Sequence, residues 1–471
     1  MKVSKKILTI AAAGALTVAT ALPAFALENE FHGFVGLRAA NSNYVTAGAF
    51  GQIPITGDSK TTYNWIEQRA RLFYTAKAND NLKLVTGFEL DSIWGKDSYT
   101  NGRNEGGALG ADTVNLETKW VYLDFNVPST KVNVKAGIQG LNDAYKSVFV
   151  GGGADAAGVL MSSPMGPTTL SLGWFRLDDR SATAAAFNNN GTAAGVTFSN
   201  GKKTRDLLLL DAKCNATKDM TFGASYYFLN NDNSQATSAQ AGPLEPNTVG
   251  APSDYTAHVL GLNAAAKLGP ATVDGFFLYE FGTIDTYNGN ALKSHLNSFA
   301  ANLAGKMAVG PGTAKVSALY VNGGTNAFVD INNETSAAYS ENNFGNALGD
   351  VLLLARNPFL TQTESAIIYD AGNNGMGVIG GSVGYEANVT SKLVAKANAA
   401  FAAVAKSQTG HDSKYQGTEL NADLGYKMYD GLTVGVNGAY VVLGDFYKGL
   451  GTGGSDPANP YITQVYAKYV F

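Results

Sequence analysis

The chain has 471 residues, of which only 15% are charged, well under the roughly 25% of a soluble domain. A formal net charge of −4 gives no basic footprint for nucleic acid, and one cysteine, Cys214, excludes an internal disulfide framework. No stretch of 18 apolar residues occurs beyond the amino terminus, so helical membrane spans are excluded.

The first 26 residues read as a signal peptide. Lys2, Lys5 and Lys6 precede the apolar run ILTIAAAGALTVATA, and Ala24-Phe25-Ala26 is a small-x-small cleavage site. Without those three lysines, 31 basic residues face 38 acidic ones, a net charge of −7. Residues 27–471 show one texture, with no Pro/Ser-rich hinge, and read as one domain.

From residue 30 onward the chain repeats segments of about ten residues that alternate apolar and polar, the period of a β-strand with two unlike faces. In the first strand Arg38 shares the face of Phe34 and Gly36. The second, WIEQRARLFYTAK at 65–77, puts Glu67, Arg69, Arg71, Thr75 and Lys77 opposite Ile66, Ala70, Leu72 and Tyr74. An arginine in hydrocarbon costs about 2–4 kcal/mol at the bilayer midplane, so Arg69 and Arg71 should face an aqueous lumen. The third, LKLVTGFELD at 82–91, turns Lys83, Glu89 and Asp91 to the same side. Paired across a hairpin, these residues form a polar ladder with Arg38 beside it.

Further strands follow at KVNVKAGIQG (131–140) and, less clearly, at ADAAGVLMS (155–163). Cys214 reads as an incidental small residue near a strand end. Residues 380–384, GGSVG, match a nucleophile motif in form only. Ser382 lies inside an alternating strand, not at a strand–turn–helix junction. ELNADLGYKM (419–428) and LTVGVNGAY (432–440) flank Asp430-Gly431, a two-residue hairpin turn. The last strand, YITQVYAKYVF, aligns Val465, Ala467, Tyr469 and Phe471 against Gln464 and Lys468.

Short connections alternate with long ones. The short ones include Asn79-Asp80, Gly269-Pro270 and Asp430-Gly431. The long ones lie near 41–64, 95–116, 141–154, 178–203, 231–254, 283–294, 324–374, 407–414 and 445–460. This rhythm predicts an all-β, antiparallel, up-and-down transmembrane barrel of 18 strands, or 16 if the weakest merge. The strands should begin near residues 30, 65, 82, 117, 131, 155, 168, 204, 220, 255, 271, 295, 313, 375, 391, 415, 432 and 461. The connection 324–374 contains NALGDVLLLARNPF, too apolar for a free loop, which reads as a short helix, a plug, or a segment packed on a neighbour. His32, His258, His295 and His411 lack metal-ligand spacing, so no metal, cofactor or catalytic residue is expected.

With its aromatic carboxy terminus and strand/turn/loop rhythm, the chain resembles the bacterial general porins over essentially all of residues 27–471. The resemblance implies an outer-membrane location, a water-filled channel for passive diffusion of small hydrophilic solutes and ions, and a homotrimer. It also implies recognition of the strand ending in Phe471 by the outer-membrane insertion machinery. By the same resemblance the third long loop would constrict the lumen, with Asp143, Lys146 and the adjacent Asp155 as its charged residues. An alternative use of the fold is a scaffold sheathing an electron-transfer cytochrome, although the chain has no Cys-x-x-Cys-His of its own.

Overall fold

The computed structural model describes residues 27–44, 62–96, 106–110, 114–151, 154–179, 182–184, 196–198, 204–232, 252–287, 290–324, 331, 344–355, 366–373, 375–407, 410–411 and 413–471. The expected signal peptide lies outside them.

Strands β1 (Glu28–Ser42), β2 (Tyr63–Asn79), β3 (Leu82–Ile93), β4 (Leu116–Asn126), β5 (Asn133–Leu141), β6 (Ala154–Met165) and β7 (Thr168–Asp179) pair in sequence order. A small separate hairpin follows, β8 (Ala182–Ala184) and β9 (Val196–Phe198), which alternation alone did not reveal. The main sheet resumes with β10 (Thr204–Thr217), β11 (Met220–Asn231), β12 (Pro252–Leu268), β13 (Ala271–Tyr287), β14 (Asn290–Val309) and β15 (Gly312–Val321). It ends with β16 (Val378–Asn388), β17 (Leu393–Ala403), β18 (Tyr415–Tyr429), β19 (Leu432–Leu443) and β20 (Tyr461–Val470).

β20 pairs antiparallel with β1, which closes an 18-stranded barrel and leaves it no free edge. The seam runs to the last residue: Gly33 N–H donates to Phe471 O (2.9 Å), and Phe471 N–H to Gly33 O (3.1 Å). Each of the 18 expected strands is present, including the weak segment at 155–163.

One expectation about the connections fails. Residues 283–294 are no long loop: β13 and β14 continue to Tyr287 and back from Asn290. At 17 and 20 residues they exceed the roughly 9–11 that a tilted strand needs to cross a bilayer, so this hairpin projects beyond the apolar band. Thr283, Ile284 and Thr286 stay paired with β14 across an irregularity between Ile284 and Thr286, and β-branched residues favour continued strand.

The outer surface is apolar. Leu72, Leu123, Leu172, Leu210, Leu262, Leu303, Val383 and Leu420 are all exposed there, whereas alternate residues are polar or buried. Aromatic residues band this surface. Tyr226, Phe228 and Phe281 surround His258, whose Nδ1 lies 2.8 Å from Tyr226 Oη. Cys214 shares the outward face of Leu208 and Leu210 and is half-buried.

Candidate functional site

The inward row of β1–β4 carries the charged ladder. Arg38 on β1 pairs with Glu67 on β2 and donates from Nη1 to Gln464 Oε1 on β20 (3.1 Å). Arg69 binds Asp91 on β3 in a two-pronged pair, 2.7 Å from Nε to Oδ1 and 2.8 Å from Nη2 to Oδ2. Arg71 pairs with Glu89. Planar guanidinium groups on one strand thus meet carboxylates in direct register on the next, the geometry that makes such pairs strong. Arg38, Glu67, Arg69, Glu89 and Asp91 are all buried. Lys83, nearer the short turns, pairs with Asp124 on β4 at 3.3 Å.

Sequence reasoning missed one ladder member. Lys119 is the extra residue of a β-bulge: Gly87 faces Trp120 and Phe88 faces Thr118, so the alternation slips on β4. Lys119 reaches Asp155 at 2.8 Å and Glu89 at 3.9 Å, while Trp120 donates to Asp155 Oδ1 (2.7 Å). Arg38, Arg69, Arg71 and Lys119 are therefore matched by Glu67, Glu89, Asp91 and Asp155.

Opposite the ladder, two connections fold into the barrel. The first is 142–151. Tyr145 is fully buried, donates to Ser225 Oγ on β11 (2.6 Å) and meets Tyr227 and Phe276 edge-on. Its hydroxyl sits over Gly261 on β12, where an added Cβ would lie 2.2 Å away. Phe149 stacks on Tyr227. Lys146 crosses to Asp274 on β13 (2.8 Å).

Asp143 does not line open space. Its carboxylate accepts backbone N–H groups from Tyr145, Ser147, Phe149 and Val150 at 2.6–3.0 Å and so folds the loop around itself. Burial pushes this carboxyl up to about 6, and the four donors oppose the shift. Burial likewise pushes Tyr145 up to about 12. Lys146 and Ser147 both hold positive φ (54° and 64°), a backbone strain that the Asp143 bonds and the Lys146–Asp274 pair offset. Asp155, at the foot of β6, belongs to the ladder's ion pairs and not to this loop.

The second inserted segment is 344–355. It starts as a short 3-10 turn, Phe344–Ala347, and continues through Leu348, Val351, Leu353 and Leu354, all fully buried. Ala347 O accepts from Asn302 Nδ2 (2.9 Å) and Ser317 Oγ (2.8 Å). Lys315 pairs with Asp350 at 2.9 Å. Glu419 on β18 accepts three consecutive N–H groups, from Leu352 (2.7 Å), Leu353 (2.8 Å) and Leu354 (2.6 Å). Leu348 fits over Gly380, where a Cβ would come within 2.5 Å of it. Ser382 faces this segment from mid-strand β16, with Gly349 packed against its hydroxyl.

Ile331, outside both segments, donates its N–H to Phe149 O (3.0 Å), and it joins the two segments in one hydrophobic cluster with wall residues Phe175, Leu207 and Leu278. A dry filling thus covers the wall from β7 to β18, and the charged ladder forms the facing wall.

No protein-family model matches the sequence, and no curated protein matches it either. Solved structures do. OccAB4 of Acinetobacter baumannii matches at 12% identity and a TM-score of 0.51, over 94% of this chain and 98% of that one. The outer membrane protein OpdK of Pseudomonas aeruginosa matches at 11% identity and 0.52, over the same shares. OccAB1 of A. baumannii matches at 12% and 0.52, over 94% and 96%. At such identities the likeness concerns architecture, and together with the closed sheet it gives this chain the fold of an outer-membrane β-barrel.

Proposed function

We propose that the chain is an outer-membrane porin, a channel for passive diffusion of small hydrophilic solutes and ions. The observation that carries this is the closure of 18 strands with an apolar row outside and a polar row inside. A barrel of that size is too wide for its own side chains to fill, so it leaves a lumen. The inserted segments 142–151 and 344–355 narrow that lumen from one side. Arg38, Glu67, Arg69, Arg71, Lys83, Glu89 and Asp91 line the other side as its pore wall. Segment 142–151 acts as the constriction, with Lys146 held by Asp274 of the wall it packs on and Asp143 as its internal anchor.

The first 26 residues are removed on export as a signal peptide, and residues 27–471 form the single barrel domain. Amino-terminal sequencing of protein extracted from outer membranes tests the cut after Ala26. The strand ending in Phe471 is the segment that the insertion machinery reads. Homotrimer assembly rests on the resemblance to general porins alone, and light scattering of the detergent-solubilised protein tests it. No catalytic role is assigned. The sheath reading gains no support, since the inserted segments occupy lumen volume that a cytochrome would need.

The central test is electrical. Purified, folded protein added to a planar bilayer should give stepwise unitary conductance. Folded protein that inserts without conducting would overturn the channel reading.

A further inference from the structure

The arginines of the ladder are charge-matched, so the field that sorts ions must come from elsewhere on the wall. The short-turn end of the lumen supplies it. Lys135, Lys213, Lys267, Lys306, Lys427 and Lys468 each lie within the five residues next to a short turn or to the carboxy terminus. Alternation turns every one inward. Lys213 shares the face of buried Leu207 and Leu209, and Lys306 that of Ser298 and Asn302. Lys427 shares the face of Glu419, and Lys468 that of Gln464 and Tyr466. Lys213, Lys267, Lys306 and Lys427 are exposed within the mouth.

None of the six makes an ion pair among the described residues. Lys135 and Lys468 lie only over the rings of Tyr122 and Phe34. The carboxylates at the same end are, by contrast, mostly engaged. Asp124 is paired with Lys83, Glu386 with Lys315, Glu28 with Lys77, and Asp274 with Lys146 of the inserted loop. Asp211 accepts from Tyr227, and Asp423 accepts from Asn437 and Tyr466. Glu30, Asp219 and Asp430 have no such partner among the described residues, the last two lying in the short turns themselves.

We propose that this lysine ring makes the short-turn mouth an anion collector, so that the channel passes small anionic solutes in preference to cations. The inference rests on the channel reading above. The lumen concentrates counter-ions because its walls are of low dielectric, and an excess of one sign among the charges that face the mouth sets which ions enter. The negative net charge of the whole chain does not oppose this, because permeation responds to the charges that face the pore.

Reversal potential in a KCl gradient decides the matter. The unaltered protein should favour chloride over potassium. Replacing Lys213, Lys267, Lys306 and Lys427 together by Gln should lower the anion-to-cation permeability ratio by about twofold or more. A second measurement needs no variant. The anion preference should shrink between 0.1 M and 1 M KCl, as the screening length falls from about 10 Å to about 3 Å. Conductance that is cation-preferring, or indifferent to both changes, overturns the lysine assignment and leaves the channel standing. Absence of conductance from folded protein overturns both.

Discussion

At the scale of single residues, two carboxylates decide how the lumen is arranged. Asp143 holds four backbone donors, and hydrogen bonds to a charged group contribute about 1.5–3 kcal/mol each. Asp143→Asn keeps the outline but turns one of the two acceptor oxygens into an NH2 group, which leaves two of the four backbone donors unmet, so segment 142–151 should loosen and single-channel conductance should rise. The acid dependence has a definite sign. The docked carboxyl titrates at about 6, above the ordinary value near 3.9, so docking is favoured most below about pH 4 and that advantage is lost as pH rises through 6. Open-channel noise should therefore grow from about pH 4.5 to about pH 7, and Asp143→Asn should flatten the profile. An unaltered protein with a flat profile would refute the assignment. Glu89 is the shared acceptor of Arg69, Arg71 and Lys119. Glu89→Gln weakens all three contacts while Arg69 keeps Asp91 and Lys119 keeps Asp155, a loss of about 1–3 kcal/mol centred on Arg71 and measurable as a lower unfolding midpoint.

The ladder was legible in the sequence because inward and outward positions differ in chemistry at every step of 65–77 and 82–91. Lys119 was not legible, because a bulge changes the parity within β4 and nothing local marks it. Asp143 was visible as a charged loop residue, but its four donors come from the loop's own backbone, which no side-chain pattern reports. Glu419 opens the alternating segment ELNADLGYKM. Its partners, Leu352–Leu354, lie more than sixty positions earlier, beyond the reach of periodicity.

At the scale of elements, the strands differ from the connections in what fixes them. Two-residue alternation specifies a strand wherever lipid and water lie on opposite sides, and this explains why all 18 were found. Where neither phase differs, as in the projecting β13–β14 hairpin, the pattern fades and the strand is read as loop. The inserted segments follow a third logic: apolar side chains seated on wall glycines. Gly261→Val should drive a methyl into the Tyr145 hydroxyl and break its bond to Ser225. We expect the barrel to fold and conductance to rise, with circular dichroism checking the first and bilayer recording the second. Glu419→Ala removes the acceptor of three backbone donors, and burying such groups unmet costs about 1–3 kcal/mol each. Proteolysis near 344–355 should then accelerate while the strands stay protected.

At the scale of the whole molecule, stability resides in closure. No disulfide is present, and the outer row contributes only in contact with lipid or detergent, so the hydrogen-bonded seam between β1 and β20 completes the structure. Removing Tyr469–Phe471 deletes the Gly33–Phe471 exchange and exposes an edge. The truncated protein should lose the compact, heat-modifiable band on unboiled gels. Retention of that band would show that the last residues serve insertion alone.

Segments 142–151 and 344–355 belong to one buried apolar cluster, which Ile331 enters through its bond to Phe149. Neither can swing clear without exposing apolar surface of that cluster, so their movements are correlated. Recordings should accordingly show one joint sublevel, not two small steps that come and go independently.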